Sequence, residues 1–378
     1  MSAFDDRTPV VVAARRTPIG TAGHGLSGLG VVDLLAPVLA EVFADLSKPG
    51  SALEPLDVDD VVVGNCRGPG GNVARIGALA AGLGTHVPGV TVDRQCGSGQ
   101  EAVHAAAAQI RSGAAQVVLA GGVESGSQAA PGRAAFAPEW LGDPDMGPAA
   151  ETVAQRCGIS RERQDAFAAR SHELALATAA AGGFEAELVP VGGLQGDERP
   201  RRLTPQLLAR LPAAFVEGGS VTAGNSCGFS DGAAATAVVS ERVRRDLGVP
   251  GLALRGWCAA GVDPATPGLG PVPAVRKLLA RKDTELGGVD VIEIQEAFAA
   301  QVLAVADGLD LDPLDADDGR VNPQGGAIAL GHPWGASGAM LVVRLFAHLV
   351  RGEAGRVGIA TCAIGGGQGL ALLAERVG

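Results

Sequence analysis

Hydrophobic positions along the chain switch between short β-branched runs and longer stretches with apolar residues three and four apart, the pattern of strands alternating with amphipathic helices. Val10 to Ala14 reads as a first strand, Val32 to Asp45 as an amphipathic helix and Val58 to Gly64 as a second strand. After the loop Asn65 to Asn72, the pattern predicts an Ala-rich helix over Val73 to Leu83 and a short strand through Val90, Thr91 and Val92. A Gly-Ser-Gly turn follows Cys96, a second Ala-rich helix runs to Ser112 with Gly113 as its stop, and Val117 to Ala120 is strand-like. This alternation argues for a layered α/β fold.

From Glu124 the pattern breaks. Ser, Pro, Gly and acidic residues dominate to Gly147, helices follow near Ala149 to Cys157 and over Arg161 to Ala181, and Asp197 to Phe215 is rich in Pro and Arg. Residues 124–230 therefore read as an inserted loop domain, the usual place for ligand contacts. Regular character returns with Ala235 to Ser240 as a strand. A further part starts at residue 251, with a helix over Pro273 to Arg281, a strand over Val289 to Ile294 and a helix over Glu296 to Leu303. An acidic loop, Asp307 to Asp318, leads to NPQGGAIALGHPWGASGA, a helix to Val350, a strand over Val357 to Thr361 and CAIGGGQG. Ser98-Gly99 and Ser337-Gly338 each start a helix that ends at a glycine after the same interval, Gly113 and Gly352, and a strand and a glycine cluster follow each. The chain thus reads as two similar halves, residues 1–123 with 231–250 and residues 251–378, whose pairing about a pseudo-twofold axis brings their reactive loops together.

Composition narrows the function. A chain of 378 residues can bury a large core, and 57 glycines among many Ala and Val point to tight turns and close backbone approach, not to disorder. The net charge of −11, with no Lys/Arg block, argues against nucleic acid and against an acidic membrane surface as partners, and no apolar run is long enough to span a bilayer. A phosphate-bearing ligand then needs a local basic patch. Six cysteines without paired spacing read as reduced thiols in a cytoplasmic protein, not as disulfides or a zinc site, and the acidic loop lacks calcium-ligand spacing, so no metal is expected. Gly23, Gly25 and Gly28 match G-x-G-x-x-G, but residues intervene between them and the preceding strand, so the match is fortuitous.

Cys96 stands where a helix begins. The helix dipole and free N–H groups there favour a thiolate, making it a candidate nucleophile; the competing reading is a buried structural cysteine. His332, between Gly331 and Pro333, is placed for proton transfer, and Cys362 offers a second thiol. A thiolate, an imidazole and a second thiol suffice for acyl transfer through a thioester. A rival pattern is Gly224-Asn225-Ser226-Cys227-Gly228, which fits a G-x-S-x-G serine elbow.

The blocks RRTPIG, GGNVAR, VDRQCGSG, AGGVES, MGPAAETVA, ISRERQDAFAARS, SVTAGNSCG, DGAAA, QEAFAAQ, NPQGGAIALGHPWGASGA and IGGGQG occur in this order from end to end. In these blocks the chain resembles the thiolases. The resemblance implies two thiolase-type α/β halves in an α-β-α-β-α arrangement with an inserted loop domain. It also implies a homodimer or dimer of dimers, and reversible thiolysis of a 3-ketoacyl-CoA or Claisen condensation of two acyl-CoA molecules. Coenzyme A enters as substrate, with no permanently bound cofactor. On this resemblance Cys96 becomes acylated, His332 activates it and donates to a thioester oxygen, and the N–H groups of Cys96 and Gly365 form an oxyanion hole. Met146, Arg201, Phe215, Ala223, Ala297 and Phe298 fall at coenzyme A contacts, Cys227 stands where a pantetheine-contacting serine is common, and Arg199 and Arg202 extend the basic patch around Arg201.

Three departures from the family pattern stand out. Gln295 replaces the Asn or His that holds a water in the first oxyanion hole. The family's second catalytic cysteine stands two residues before the glycine triplet, where this chain has Ala363, with Cys362 one step earlier. Neighbouring strand residues point to opposite faces, so Cys362 serves as the acid/base only if a β-bulge re-aims it, which is the expectation adopted here. The segment from Glu124 to Met146 is short where many thiolases carry tetramer contacts, which favours a dimer. Cys66, Cys157 and Cys258 are expected in the core. Losing the second thiol leaves open a thioesterase-like or altered condensing enzyme, or a non-catalytic acyl-CoA-binding subunit.

Overall fold

The computed structural model describes residues 4–47, 58–315 and 318–378; positions 316–317 of the acidic loop lie outside the described residues. The first half contains β1 (Pro9–Arg16), β2 (Gly20–Thr21), α1 (Val31–Leu46), β3 (Asp60–Gly64), α2 (Val73–Ala80), β4 (Val90–Val92), α3 (Ser98–Ser112) and β5 (Val117–Ser125). The chain then leaves the sheet for α4 (Met146–Cys157), α5 (Arg161–Ala180) and α6 (Pro205–Leu208), and returns in β6 (Ser230–Ser240) and α7 (Glu241–Leu247). The second half contains β7 (Gly251–Gly261), α8 (Pro271–Lys282), β8 (Val291–Ile294), α9 (Ala299–Asp307), α10 (Ala327–Leu330), α11 (Trp334–Phe346), β9 (Val357–Ile364) and β10 (Gln368–Val377).

The strands order as β4-β3-β5-β6-β1-β7-β10-β9-β8, with β2 paired to β6. Read inward from the β4 edge, β4-β3-β5 are parallel and β6 and β1 antiparallel. Read inward from the other edge, Val321 bridges Ile292 of β8 in parallel, β8 and β9 are parallel, and β10 and β7 follow antiparallel. The two sequences of pairing match, and β1 meets β7 at the seam. The duplication suggested by the two Ser-Gly pairs is therefore a duplication of topology.

Three apolar clusters define five layers. One lies between the inner strand faces around α3 and α11, one packs α1 and α2 against the outside of the first half, and one packs α8 and α9, with α4 and α5, against the second. The inner helices cross at glycines: a Cβ on Gly99 would lie 2.8 Å from Ala339 N and from Gly335 O, and one on Gly338 would lie 2.6 Å from Gln100 N. Helix α11 starts at Trp334, so Ser337 lies one turn inside it and not at its start.

The insertion is pinned to the layers by charge. Buried Arg16 donates from Nε to Glu187 at 2.7 Å and from Nη1 to Asp197 at 2.7 Å, and Arg344 of α11 pairs with the same Glu187. Two cations on one carboxylate, with further hydrogen bonds, are what make such burial tolerable. Among the described residues no helix is long and apolar enough to cross a membrane.

Candidate active site

Strand β4 delivers the chain to a tight turn. Gln95 adopts φ of 47°, a left-handed conformation uncommon for a side-chain-bearing residue, and Gly97 and Ser98 donate their N–H groups to Arg94 O and Gln95 O. The Ser98 hydroxyl locks the turn, donating to Gln95 O at 2.6 Å while accepting from Arg94 N at 2.8 Å. Cys96 is thereby fixed just before α3. A Cβ on Gly97 would meet Ile364 at 2.5 Å, so the nucleophile turn sits directly against the end of β9. The expectation of an acidic thiol is not met. Burial, with Glu124 and Asp93 adding to it, pushes the Cys96 thiol up to about 12, and its own backbone N–H only partly opposes this.

His332 is brought to the same place from the second half. Its N–H donates to Gly228 O at 3.1 Å and is also 3.1 Å from Ser230 Oγ, which ties it to the end of the insertion. Behind the ring, Nδ1 lies 2.6 Å from Ser337 Oγ and 3.1 Å from Gln295 Nε2. Burial lowers the imidazole to about 4, so the resting pair is neutral thiol and neutral imidazole, not thiolate and imidazolium.

Both residues open onto a cleft of about 860 Å³ that also takes Met146, Phe215, Cys227, Ala297, Phe298 and Gly365 into its wall. The insertion and the second half are stitched together there: Cys227 N–H donates to Ala297 O, Ala299 N–H donates to Asn225 O, and the Phe215 and Phe298 rings meet edge to face at 5.9 Å. Gly365 carries no Cβ because one would lie 2.8 Å from the Phe136 ring of the insertion.

Other expected residues lie elsewhere. Arg201 and Ala223 are exposed and outside this wall; Arg199 packs against Gly228, a Cβ on which would lie 2.1 Å from Nη1, and Arg201 N–H donates to His172 Nδ1 at 3.3 Å. Gln295 lines a separate cavity of about 30 Å³ behind His332, so its side chain backs the ring and not the cleft. Cys362 is the sharper correction. The β9–β10 register runs unbroken through Thr361, Cys362, Ala363 and Ile364, so there is no bulge to turn it. Its side chain is fully buried and donates to Gln100 Oε1 at 3.3 Å, while Ala363 takes the place on the cleft wall. Ser226 is no elbow nucleophile: it lies on an extended segment bridged to Phe298, and its hydroxyl donates to Thr222 O at 2.7 Å. Cys258 is buried as expected, but Cys157 is exposed and Cys66 lies on the cleft wall, where sequence patterning offered no signal beyond its place past a strand end.

The thiolase N-terminal domain model matches residues 9–242 and the thiolase C-terminal domain model matches residues 249–376. The chain belongs to the thiolase family. An acetyl-CoA acetyltransferase of Pseudomonas aeruginosa is 41% identical over 97% of this chain and 99% of that protein. One of Syntrophomonas wolfei is 39% identical over 98% and 99%. The crystal structure of the Bacillus anthracis acetyl-CoA acetyltransferase superposes with a TM-score of 0.90 at 39% identity, covering 98% of this chain and 99% of that one. This thiolase is thus an acyltransferase built on the duplicated α/β fold, with Ala363 on its cleft wall in place of a thiol.

Proposed function

We propose that this thiolase exchanges acyl groups between coenzyme A thioesters through a thioester on Cys96, cleaving 3-ketoacyl-CoA by thiolysis or, in the opposite direction, joining two acyl-CoA molecules by Claisen condensation. The observation that carries the reading is the convergence of Cys96 and His332, one from each half, on a single apolar cleft. A neutral thiol needs a base at the moment of attack, and the neutral His332 imidazole is that base. The N–H groups of Cys96 and Gly365 are assigned to the developing oxyanion, which preorganised donors stabilise best. The names of the relatives support acetyl-CoA as one product and acetoacetyl-CoA as a test substrate.

The pantetheine arm is assigned to the Met146, Phe215, Cys227, Ala297 and Phe298 wall, and the phosphates to the Arg199, Arg201 and Arg202 segment beside Ala223. Arg199 reaches Gly228 next to Cys227, which supports that path. Coenzyme A is substrate, and no cofactor stays bound. Residues 124–230 act as the coenzyme A-holding insertion, and residues 1–123 with 231–250 and residues 251–378 as the two halves. We place the protein in the cytoplasm and in fatty acid metabolism, as a homodimer. The open β4 edge, with Val90, Ile76 and Leu79 all over 40% exposed, supports pairing of two copies there.

Mixing the protein with acetoacetyl-CoA and measuring intact mass tests the reading. An acetyl adduct on Cys96 that coenzyme A discharges is expected, and a Cys96→Ala protein that cleaves acetoacetyl-CoA at the parental rate overturns it. A stable adduct that coenzyme A fails to discharge points instead to the thioesterase-like or condensing alternative.

A further inference from the structure

Breaking the Cα–Cβ bond of a 3-ketoacyl-CoA leaves an electron pair on the α-carbon of the departing acetyl-CoA, and a proton must reach that carbon. On the cleft wall Cys96 is occupied by the acyl group, His332 holds the proton that Cys96 released, and Asp145 is exposed and paired with Arg133. Two thiols remain, Cys66 and Cys227. Cys227 belongs to the wall assigned to the pantetheine arm, and its backbone is fixed on Ala297.

Cys66 is placed differently. It leaves the C-terminal end of β3, and Cys96 leaves the same end of the parallel neighbour β4, so the two loops run side by side; Asn65 N–H donates to Val92 O across them. The Cys66 thiol donates to Glu124 Oε2 at 2.8 Å. Glu124 is a saturated acceptor: Asn65 Nδ2, Cys66 N, Arg67 N and Gly335 N also donate to it, at 3.1 to 3.2 Å. Burial raises the Glu124 carboxyl above its usual range and these donors oppose the rise; as their common acceptor it leaves the thiol proton on sulfur.

We infer that Cys66, held by Glu124, is the second acid/base thiol of this active site, in the role that Cys362 is turned away from. The inference rests on the thioester route proposed above. Cys96 gives its proton to His332 and its sulfur attacks the ketone carbon. The Cα–Cβ bond breaks, its electron pair moves to the α-carbon, and that carbon takes the Cys66 proton, releasing acetyl-CoA. The Cys66 thiolate then takes the thiol proton of the incoming coenzyme A. The coenzyme A sulfur attacks the Cys96 thioester, acyl-CoA departs, and Cys96 recovers its proton from His332. Burial, Glu124 and the nearby Cys96 all push the Cys66 thiol up. Such a thiol holds its proton at rest and has it ready for the carbanion.

Hydrogen exchange into acetyl-CoA isolates this step, because reversible proton transfer to the α-carbon replaces the methyl hydrogens with deuterium in heavy water. Cys66→Ser keeps a hydroxyl donor for Glu124, and the protein is expected to form the Cys96 acetyl adduct from acetyl-CoA, a transfer that needs no proton at carbon, while losing exchange by about 100-fold or more. Adding Ala363→Cys to Cys66→Ser is expected to restore part of the exchange, because position 363 faces the cleft, whereas Cys362→Ala alone leaves exchange within about twofold of the parent. Exchange within a few-fold of the parent in Cys66→Ser, or its loss in Cys227→Ala with the adduct intact, overturns the assignment to Cys66. Absence of any Cys96 adduct in the parent overturns the thioester route instead.

Discussion

Ser337 Oγ lies 2.6 Å from His332 Nδ1 and donates its own proton to Pro333 O at 3.0 Å. A hydroxyl that gives its proton to the backbone accepts from Nδ1–H, and that is the tautomer expected here. That leaves the lone pair on Nε2, the nitrogen available to the cleft, and makes the imidazole a base toward Cys96. Replacing Ser337 with Ala removes the partner that fixes this tautomer. A buried hydrogen bond is worth about 1–1.5 kcal/mol, so kcat for acetoacetyl-CoA thiolysis should fall roughly tenfold with KM nearly unchanged. Nitrogen NMR of labelled histidine should show the two tautomers mixed in Ser337→Ala and the Nδ1–H form in the parent.

Gln295 stands behind the same ring nitrogen, its carboxamide Nε2 3.1 Å from Nδ1. A carboxylate in that position attracts the imidazolium. Gln295→Glu should therefore raise the His332 pKa from about 4, by roughly one to three pH units as an adjacent opposite charge does. A higher pKa keeps the base protonated to higher pH, so the acid limb of kcat/KM moves up by that amount. The pH profile of thiolysis by the two proteins between pH 4 and 8 checks the sign; a limb that stays in place means Gln295 does not act through His332.

Cys96 itself should react slowly with reagents that need a thiolate already formed. With the thiol pushed up to about 12, iodoacetamide labelling should keep rising tenfold per pH unit past pH 9, where an ordinary thiol levels off. Acylation by acyl-CoA should be flat across pH 6 to 8, because His332 removes the proton during attack. Parallel labelling and acylation rates across this range separate the two behaviours, and a labelling plateau below pH 8 would show a preformed thiolate.

Much of this arrangement can be read from residue order, and the parts that cannot share a physical cause. The α3 helix, the β4 strand and the insertion follow from periodicity and breaker residues. Strand β6, SDGAAATAVVS, escaped detection over its first half because Ala and Gly have poor strand propensity, yet all of its positions are buried between two layers, and tertiary packing decides. Strand β10 runs from Gln368 to Val377 with most positions buried and shows no alternation for the same reason. Strand parity turns Cys362 away from the cleft, and the unbroken β9–β10 ladder, which residue order does not reveal, excludes the bulge that would bring it back. At Cys96 the helix start is visible in sequence, whereas the burial and the charge of Glu124, at the end of another strand, that outweigh it are not. Cys66 was invisible as a site residue because its meaning comes from Glu124, its hydrogen-bond partner at the end of another strand.

The glycine crossing of α3 and α11 couples stability to chemistry, since one helix follows Cys96 and the other follows His332. In an isolated helix Gly99→Ala gains about 1 kcal/mol from backbone entropy. Here the new methyl carbon would sit 2.8 Å from Ala339 N and Gly335 O, both backbone atoms that no side-chain rotation can move. Overpacking of this kind typically costs about 1–3 kcal/mol, so the net effect is destabilising or close to neutral. Activity should suffer far more than stability, because relief of the clash separates the helices, and a displacement of about 1 Å between reacting groups costs roughly 100-fold. Gly99→Ala should therefore unfold at only slightly lower denaturant concentration while losing most thiolysis. Gly338→Ala, with its methyl 2.6 Å from Gln100 N, should behave alike. Because the two substitutions strain one crossing, their combination should cost less than the sum of the two in activity, and strict additivity would mean that the helices do not transmit the strain to the catalytic pair.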